Sequence, residues 1–249
     1  MNRKRIKTEL LVHDLKNPLA VIEAGITSLI RKGQKYGPLT DEHLKVLNRA
    51  LRNTKVAKGL VNDVLEVGRS DEGIMCKDNF LISDFIRHPL VEIFDLTDHE
   101  TAERISACVK ISDLKELLSG KGILLEMDER MWKQEVCMDE RKMRQILRNL
   151  LSNALKYRKE EVVIAIGEKG GSLHITVSDD GEGIEEEYHQ KIFECYFQLD
   201  DVRDYCIRGH GIGLAGVLML VEDMGGNLSL EGGERKGAKF SVILPLGRK

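Results

Sequence analysis

Four short runs of this sequence hold side chains that can do chemistry. LVHDLKNPL, residues 11–19, sets His13 beside Asp14, with Asn17 one helical turn further on and Pro18 next to it. An imidazole has a reference pKa near 6.5. Its neutral ring nitrogen is therefore available near pH 7 for proton exchange or for nucleophilic attack. RNLLSNALKY places Asn149, Asn153 and Lys156 at steps of four and three, on one helical face opposite Leu150, Leu151 and Leu155, with Tyr157 adjoining. Two amides and an amine in a stripe suit a metal-bridged polyphosphate, because amide oxygens can ligate Mg²⁺ while an ammonium meets phosphate oxygens. ITVSDDGEGI ends an alternating run at Asp179 and enters a turn through Gly181 and Gly183. A carboxylate there can accept a hydrogen bond from an amino group such as that of adenine. RGHGIGL supplies Gly209, Gly211 and Gly213 ahead of an apolar helix, where N–H donors and the positive end of the helix dipole favour phosphate.

Taken singly, each run has an ordinary reading. A surface histidine beside an aspartate is common, a polar stripe can be a solvated helix face, and DDGEG can be a loop. A lone GxGxG is weak as well. It follows no strand of a βαβ unit and does not match GxxxxGK[ST], which disfavours dinucleotide and Walker-type sites.

These residues need elements to position them. Leu15, Leu19, Ile22, Ile26 and Leu29 alternate steps of four and three, the seam of a bundled helix that stops near Gly33. His13 lies two residues before Leu15 and so falls nearly opposite the seam, toward solvent. Pro18 removes the N–H that would bond the Asp14 carbonyl, and a bend is expected there. Thr40 or Asp41 caps a second helix carrying Leu44, Leu47, Leu51, Val61, Val64 and Leu65. Two helices cannot enclose a core alone, so the exposed seam implies a homodimeric four-helix bundle.

Residues 71–104 read as a linker or an extra element. From 105 onward, the strand-like runs ISACVKI, VVIAIGE, SLHITVSD and AKFSVILP alternate with the helical runs ERKMRQILRNLLSNALKYR and GLAGVLMLVEDM. That order suggests an α+β sandwich with helices on one face of a mixed sheet. The expected domains are 1–70, a helical hairpin, and 105–249, an α/β sandwich.

Composition narrows the classes. The 249 residues are 42% hydrophobic and 32% charged with net charge −3, which lacks the basic excess of a nucleic-acid binder. No run approaches the roughly 18 apolar residues of a membrane span, and MNRKRIKTEL lacks the apolar core of a signal peptide. A cytoplasmic chain without membrane contact is expected. Five scattered cysteines with no CxxC pair read as reduced thiols.

Jointly and in this order, the blocks resemble the transmitter core of a sensor histidine kinase of two-component signalling. HDLKNPL resembles the phosphoacceptor box, RNLLSNALKY the asparagine box, SDDGEGI and GHGIGL the glycine boxes, and KIFECYFQ the phenylalanine-containing segment between them. GAKFSVILP resembles the closing strand. The resemblance implies a dimeric antiparallel hairpin with His13 as phosphoacceptor, joined to a GHKL-type α/β sandwich that binds ATP and Mg²⁺. By motif position, Asn153 would ligate Mg²⁺ with Asn149 assisting, Lys156 would meet phosphate, Tyr157 would pack near adenine, and Asp179 would accept from its amino group. Gly181, Gly183, Gly209, Gly211 and Gly213 would shape the pocket and its lid, with Arg203 or Arg208 steadying the γ-phosphate.

On this resemblance His13 is autophosphorylated, Asp14 takes the proton from its other ring nitrogen, and the phosphoryl group passes to an aspartate of a response-regulator receiver domain. Asn17 would support dephosphorylation of that regulator. Asp180 stands where the family often has asparagine, and His210 where a small residue is common. The competing readings are a scaffold or phosphotransfer protein without kinase activity, and an ATPase or serine kinase on the same nucleotide fold.

Overall fold

The computed structural model describes residues 5–31, 36–70, 78–95, 97–194, 213–233 and 236–246, with side chains described from Leu15 onward in the first helix and for part of the second. The chain divides into two compact units, 1–72 and 73–249.

The first unit is built from helix α1 (Arg5–Arg31) and helix α2 (Asp41–Ser70). Helix α1 runs through Pro18. Thr40 caps α2: its hydroxyl oxygen accepts from the His43 N–H at 3.2 Å, and its carbonyl accepts from Leu44 at 2.9 Å, while Asp41 and Glu42 add favourable charge to the first turn. Along the seam, Leu19, Ile26 and Leu29 are half-buried. Leu15 and Ile22 remain 50% and 47% exposed, as are Val21 and Val46 to a greater degree. No apolar side chain described in this unit is fully buried, so the single hairpin leaves its hydrophobic stripe only half covered.

The second unit opens with β1 (Asp78–Leu81), α3 (Ile82–Asp95), α4 (His99–Ala107) and α5 (Ile111–Ser119). There follow β2 (Ile123–Glu126), the short α6 (Glu129–Trp132), β3 (Glu135–Met138), α7 (Glu140–Tyr157), β4 (Val162–Lys169), β5 (Ser172–Asp179), α8 (Gly213–Asp223), β6 (Asn227–Gly232) and β7 (Ala238–Pro245). Five strands form a mixed sheet in the order β2-β4-β5-β7-β6, with β2 parallel to β4 and every other pair antiparallel. A separate antiparallel pair joins β1 to β3.

Alternation decides which face of the sheet is covered. Val162, Ile164, Ile166, Leu173, Ile175, Val177, Phe240, Val242 and Leu244 are buried, while their neighbours in sequence are partly or wholly exposed. Helices α7 and α8 pack on the buried face through Met143, Ile146, Leu147, Leu150, Leu151, Val217, Leu220 and Val221, all members of one core. At the edge of this core, the partly buried Phe193 meets Phe240 edge-on, with ring centroids 6.5 Å apart.

Two sequence expectations change here. ISACVKI is not a strand: residues 105–107 close helix α4, and 108–110 lead into α5. The helical signal lies upstream, in Asp98, whose carboxylate accepts from the Thr101 N–H and hydroxyl, and in the buried positions Thr101, Ala102 and Ile105. The linker-like stretch also has its own architecture. Phe80, Ile82, Phe85, Ile86, Leu90, Phe94 and Ala102 join the core of the second unit, which as a compact body starts at Gly73 rather than at 105.

Candidate functional site

Helix α7 is launched by Asp139, buried and accepting the Lys142 N–H at 3.1 Å. Its apolar stripe is drawn onto the sheet, which turns the remaining face outward and leaves Asn149, Asn153 and Lys156 partly exposed and Tyr157 half exposed. The Asn149 amide nitrogen donates to the carbonyl of Gly213 at 3.3 Å, tying the helix to the first residue of α8. At the opposite end of the pair, Lys142 meets Asp223 at 3.1 Å, so α7 and α8 run antiparallel and are pinned twice. The Asn153 amide makes no hydrogen bond among the described residues, which leaves its oxygen available to a cation. The Lys156 ammonium rests 2.8 Å from the Tyr157 hydroxyl and 4.5 Å from the centre of that ring.

Asp179 is the last residue of β5 and half-buried. Its Oδ1 accepts from the Gly181 N–H at 2.9 Å and the Ala238 N–H at 3.4 Å, and Oδ2 makes no hydrogen bond among the described residues. Burial pushes its pKa above the ordinary carboxylate value and the negative charge of Asp180 adds to this, while the two backbone donors pull the other way. An acceptor anchored by one oxygen and open at the other can receive an amino group from a flat ligand.

Close approach of backbone explains two glycines. A Cβ on Gly181 would overlap the Tyr157 carbonyl, and one on Gly237, at φ +72°, would overlap the Asp179 carbonyl. Gly183 follows in the same turn, against the backbone of Gly233.

The structure therefore gathers Asn149, the Asp179–Gly183 turn and Gly213 with the C-terminal half of α7. Arg203, Arg208, Gly209, His210 and Gly211 lie outside the described residues, and so do the side chains of Asp14 and of His13, the one expected to face solvent. His13 belongs to α1 of the first unit, and Asn17, one turn along, is exposed. Sequence reasoning missed Gly237 and Ala238 as walls of the Asp179 site. The available signal was a glycine directly before the closing strand.

Comparison with known proteins gives two domain matches. Residues 9–73 match the His Kinase A (phospho-acceptor) domain, and residues 138–248 match the histidine kinase-, DNA gyrase B- and HSP90-like ATPase family. The sensor histidine kinase YkoH of Bacillus subtilis is 26% identical over 230 residues, spanning 92% of this chain and 45% of that protein. The sensor protein SrrB of Staphylococcus aureus is 27% identical over 237 residues, 94% of this chain and 36% of that protein. The chain thus spans less than half the length of these relatives.

Among solved structures, full-length ShkA in complex with AMPPNP superposes with a TM-score of 0.68 at 23% identity, covering 98% of this chain and 46% of that one. The Acinetobacter baumannii histidine kinase AdeS superposes at 0.55 and 18% identity, covering 95% and 98%. Among the described residues, no helix is long and apolar enough to cross a membrane. With a phospho-acceptor hairpin in its first unit and a GHKL-type α/β sandwich in its second, the chain belongs to the histidine kinase family as a transmitter core.

Proposed function

We propose that this chain is an ATP-dependent protein histidine kinase that phosphorylates His13 and passes the group to an aspartate of a response-regulator receiver domain. The observation that carries the reading is the coexistence, in one chain, of a histidine on a phospho-acceptor hairpin and a half-buried carboxylate, Asp179, with one oxygen left open beside the asparagine helix. The AMPPNP bound to ShkA supports a nucleotide in the second unit.

In this reading Asp179 Oδ2 accepts the adenine amino group, and Tyr157 packs near the base. Lys156 leaves the Tyr157 hydroxyl to meet a phosphate oxygen. Gly181 and Gly183 shape the pocket, and Gly209, Gly211 and Gly213 shape its lid, with Arg203 or Arg208 at the γ-phosphate. The uncommitted amide oxygen of Asn153, with Asn149 beside it, fits a hard cation such as Mg²⁺, which when bound neutralises charge on the phosphates. One neutral nitrogen of His13 attacks the γ-phosphorus as the bond to the ADP oxygen breaks, and ADP leaves with that electron pair. Asp14 receives the proton from the other ring nitrogen. On transfer to the receiver aspartate the P–N bond breaks, its electron pair returns to the ring and Asp14 gives back the proton, which regenerates neutral His13. Asn17 supports the separate hydrolysis of the regulator's aspartyl phosphate, which releases inorganic phosphate. The hairpin acts as a homodimer, and its place of action is the cytoplasm.

Incubation with γ-labelled ATP and Mg²⁺ tests this. The expected label is acid-labile and alkali-stable and is absent in His13→Gln. A label that survives that substitution overturns the assignment.

A further inference from the structure

We infer that Asp180 is a positioning residue: it sets the base-recognition turn of Asp179 against the end of the asparagine helix. The inference rests on the nucleotide reading above. Asp180 Oδ1 accepts the Lys159 N–H at 2.8 Å and the Glu160 N–H at 3.1 Å, and Oδ2 lies 3.0 Å from the same Glu160 N–H. Its own N–H donates to the Glu161 carbonyl at 3.3 Å. The loop it grips, 158–161, leaves α7 directly after Lys156 and Tyr157.

A second clamp holds that loop from its other side. Arg158 donates from Nη1 to the carbonyls of Lys121 and Gly122 at 2.9 and 3.0 Å, and Val162 donates to Gly122 at 2.9 Å. The Tyr157 carbonyl abuts Gly181, the residue that follows Asp180. Three successive residues of the turn therefore have separate tasks: Asp179 faces the ligand, Asp180 faces the loop, and Gly181 lets the two backbones touch.

Satisfaction of buried donors does not explain the grip. Lys159, Glu160 and Asp180 are all exposed, so water would serve these N–H groups equally well. What the carboxylate adds is fixed geometry between the acceptor that reads the base and the side chains at the helix end. The shift at this group agrees. Its largest single influence, desolvation, raises the pKa, yet the backbone N–H groups of Glu161, Glu160, Lys159 and Asp180 itself hold the carboxyl below its ordinary value.

Both amide contacts to Oδ1 survive in an asparagine, which gives a conservative control. In the full chain with Mg²⁺, titration calorimetry compares ATP with GTP, whose base offers a carbonyl where adenine offers the amino group. Asp180→Ala is expected to lower the preference for ATP over GTP about tenfold, the equivalent of one well-placed hydrogen bond. Asp180→Asn is expected to keep it within about twofold on the same scale. Where Asp180→Ala fails to fold, judged by thermal melting, Asp180→Ser replaces it with a shorter acceptor and the same expected loss of preference. An unchanged preference in the alanine or serine variant, or an equal loss of both nucleotides, overturns the positioning role. Absence of ATP binding by the unaltered chain overturns the nucleotide reading and this inference with it.

Discussion

The side-chain amide of Asn149 donates to the carbonyl of Gly213 at 3.3 Å, so a helix that carries candidate metal ligands is fastened to the residue with which α8 begins. Gly213 is also the last glycine of the GHGIG run. On the proposed function Asn149 would have two tasks, an oxygen for a cation and a nitrogen that holds Gly213.

Asn149→Asp separates them. The carboxylate keeps an oxygen ligand but replaces the donor with a second acceptor facing the Gly213 carbonyl. Loss of the hydrogen bond plus the new repulsion is expected to weaken nucleotide affinity by about tenfold or more, with Mg²⁺ dependence retained. A titration of ATP analogue at two Mg²⁺ concentrations checks this. An affinity equal to that of the unaltered chain would show that the Gly213 contact is idle.

Asp179→Asn is expected to raise the melting temperature of the ligand-free chain at pH 7 while reducing nucleotide binding. The sign follows from the upward pKa shift: the folded state holds the proton more tightly, so ionisation at neutral pH works against folding. That penalty is absent below the unfolded carboxylate pKa of about 3.9 and grows as pH rises through the elevated folded value. Melting curves of both proteins across acidic and neutral pH should therefore converge on acidification. Divergence in acid would contradict the burial argument.

Gly170 and Gly237 form a matched pair. Both adopt positive φ, +61° and +72°, but a Cβ on Gly170 meets open space whereas one on Gly237 strikes the Asp179 backbone. Gly170→Ala is expected to cost about 1 kcal/mol, the strain of left-handed backbone alone. Gly237→Ala should cost about 3 kcal/mol or more, because overlap is added, and should abolish nucleotide binding even where the fold survives. Urea unfolding of the two variants provides the comparison.

Leu15 and Ile22 are half exposed in a hairpin that fully buries none of its described apolar side chains. The double substitution Leu15→Glu with Ile22→Glu is expected to yield a monomer in sedimentation at concentrations where the unaltered chain is dimeric, with nucleotide affinity unchanged. A dimeric double variant would place the self-association surface elsewhere.

The strands and helices that sequence patterning revealed are those with a clean period and enough length. Helix α7 shows a one-sided stripe from Met143 to Ala154, and β4, β5 and β7 alternate over eight residues each. The strands β1, β2 and β3 have only four residues apiece, too few for period two to stand out. ISACVKI misled because Ile105 and Ile111 belong to different helices, each with its own buried face. At the site, Asp179, Asn149 and Gly181 were legible because their motifs are local. Gly237 and the double grip of Asp180 were not, since both depend on backbone that returns from elsewhere in the chain and is fixed only by tertiary packing.

The ladder between β1 and β3 has a mechanical meaning. Strand β1 zips onto β3, pairing Asp78 with Met138, and the next residue, Asp139, starts the asparagine helix. The ladder therefore ends about 20 Å, at 1.5 Å per residue, from Asn153. Strain that enters the second unit at β1 therefore falls first on the hydrogen-bonded splice between β1 and β3, at the far butt of that rod, rather than on the residues around Asp179.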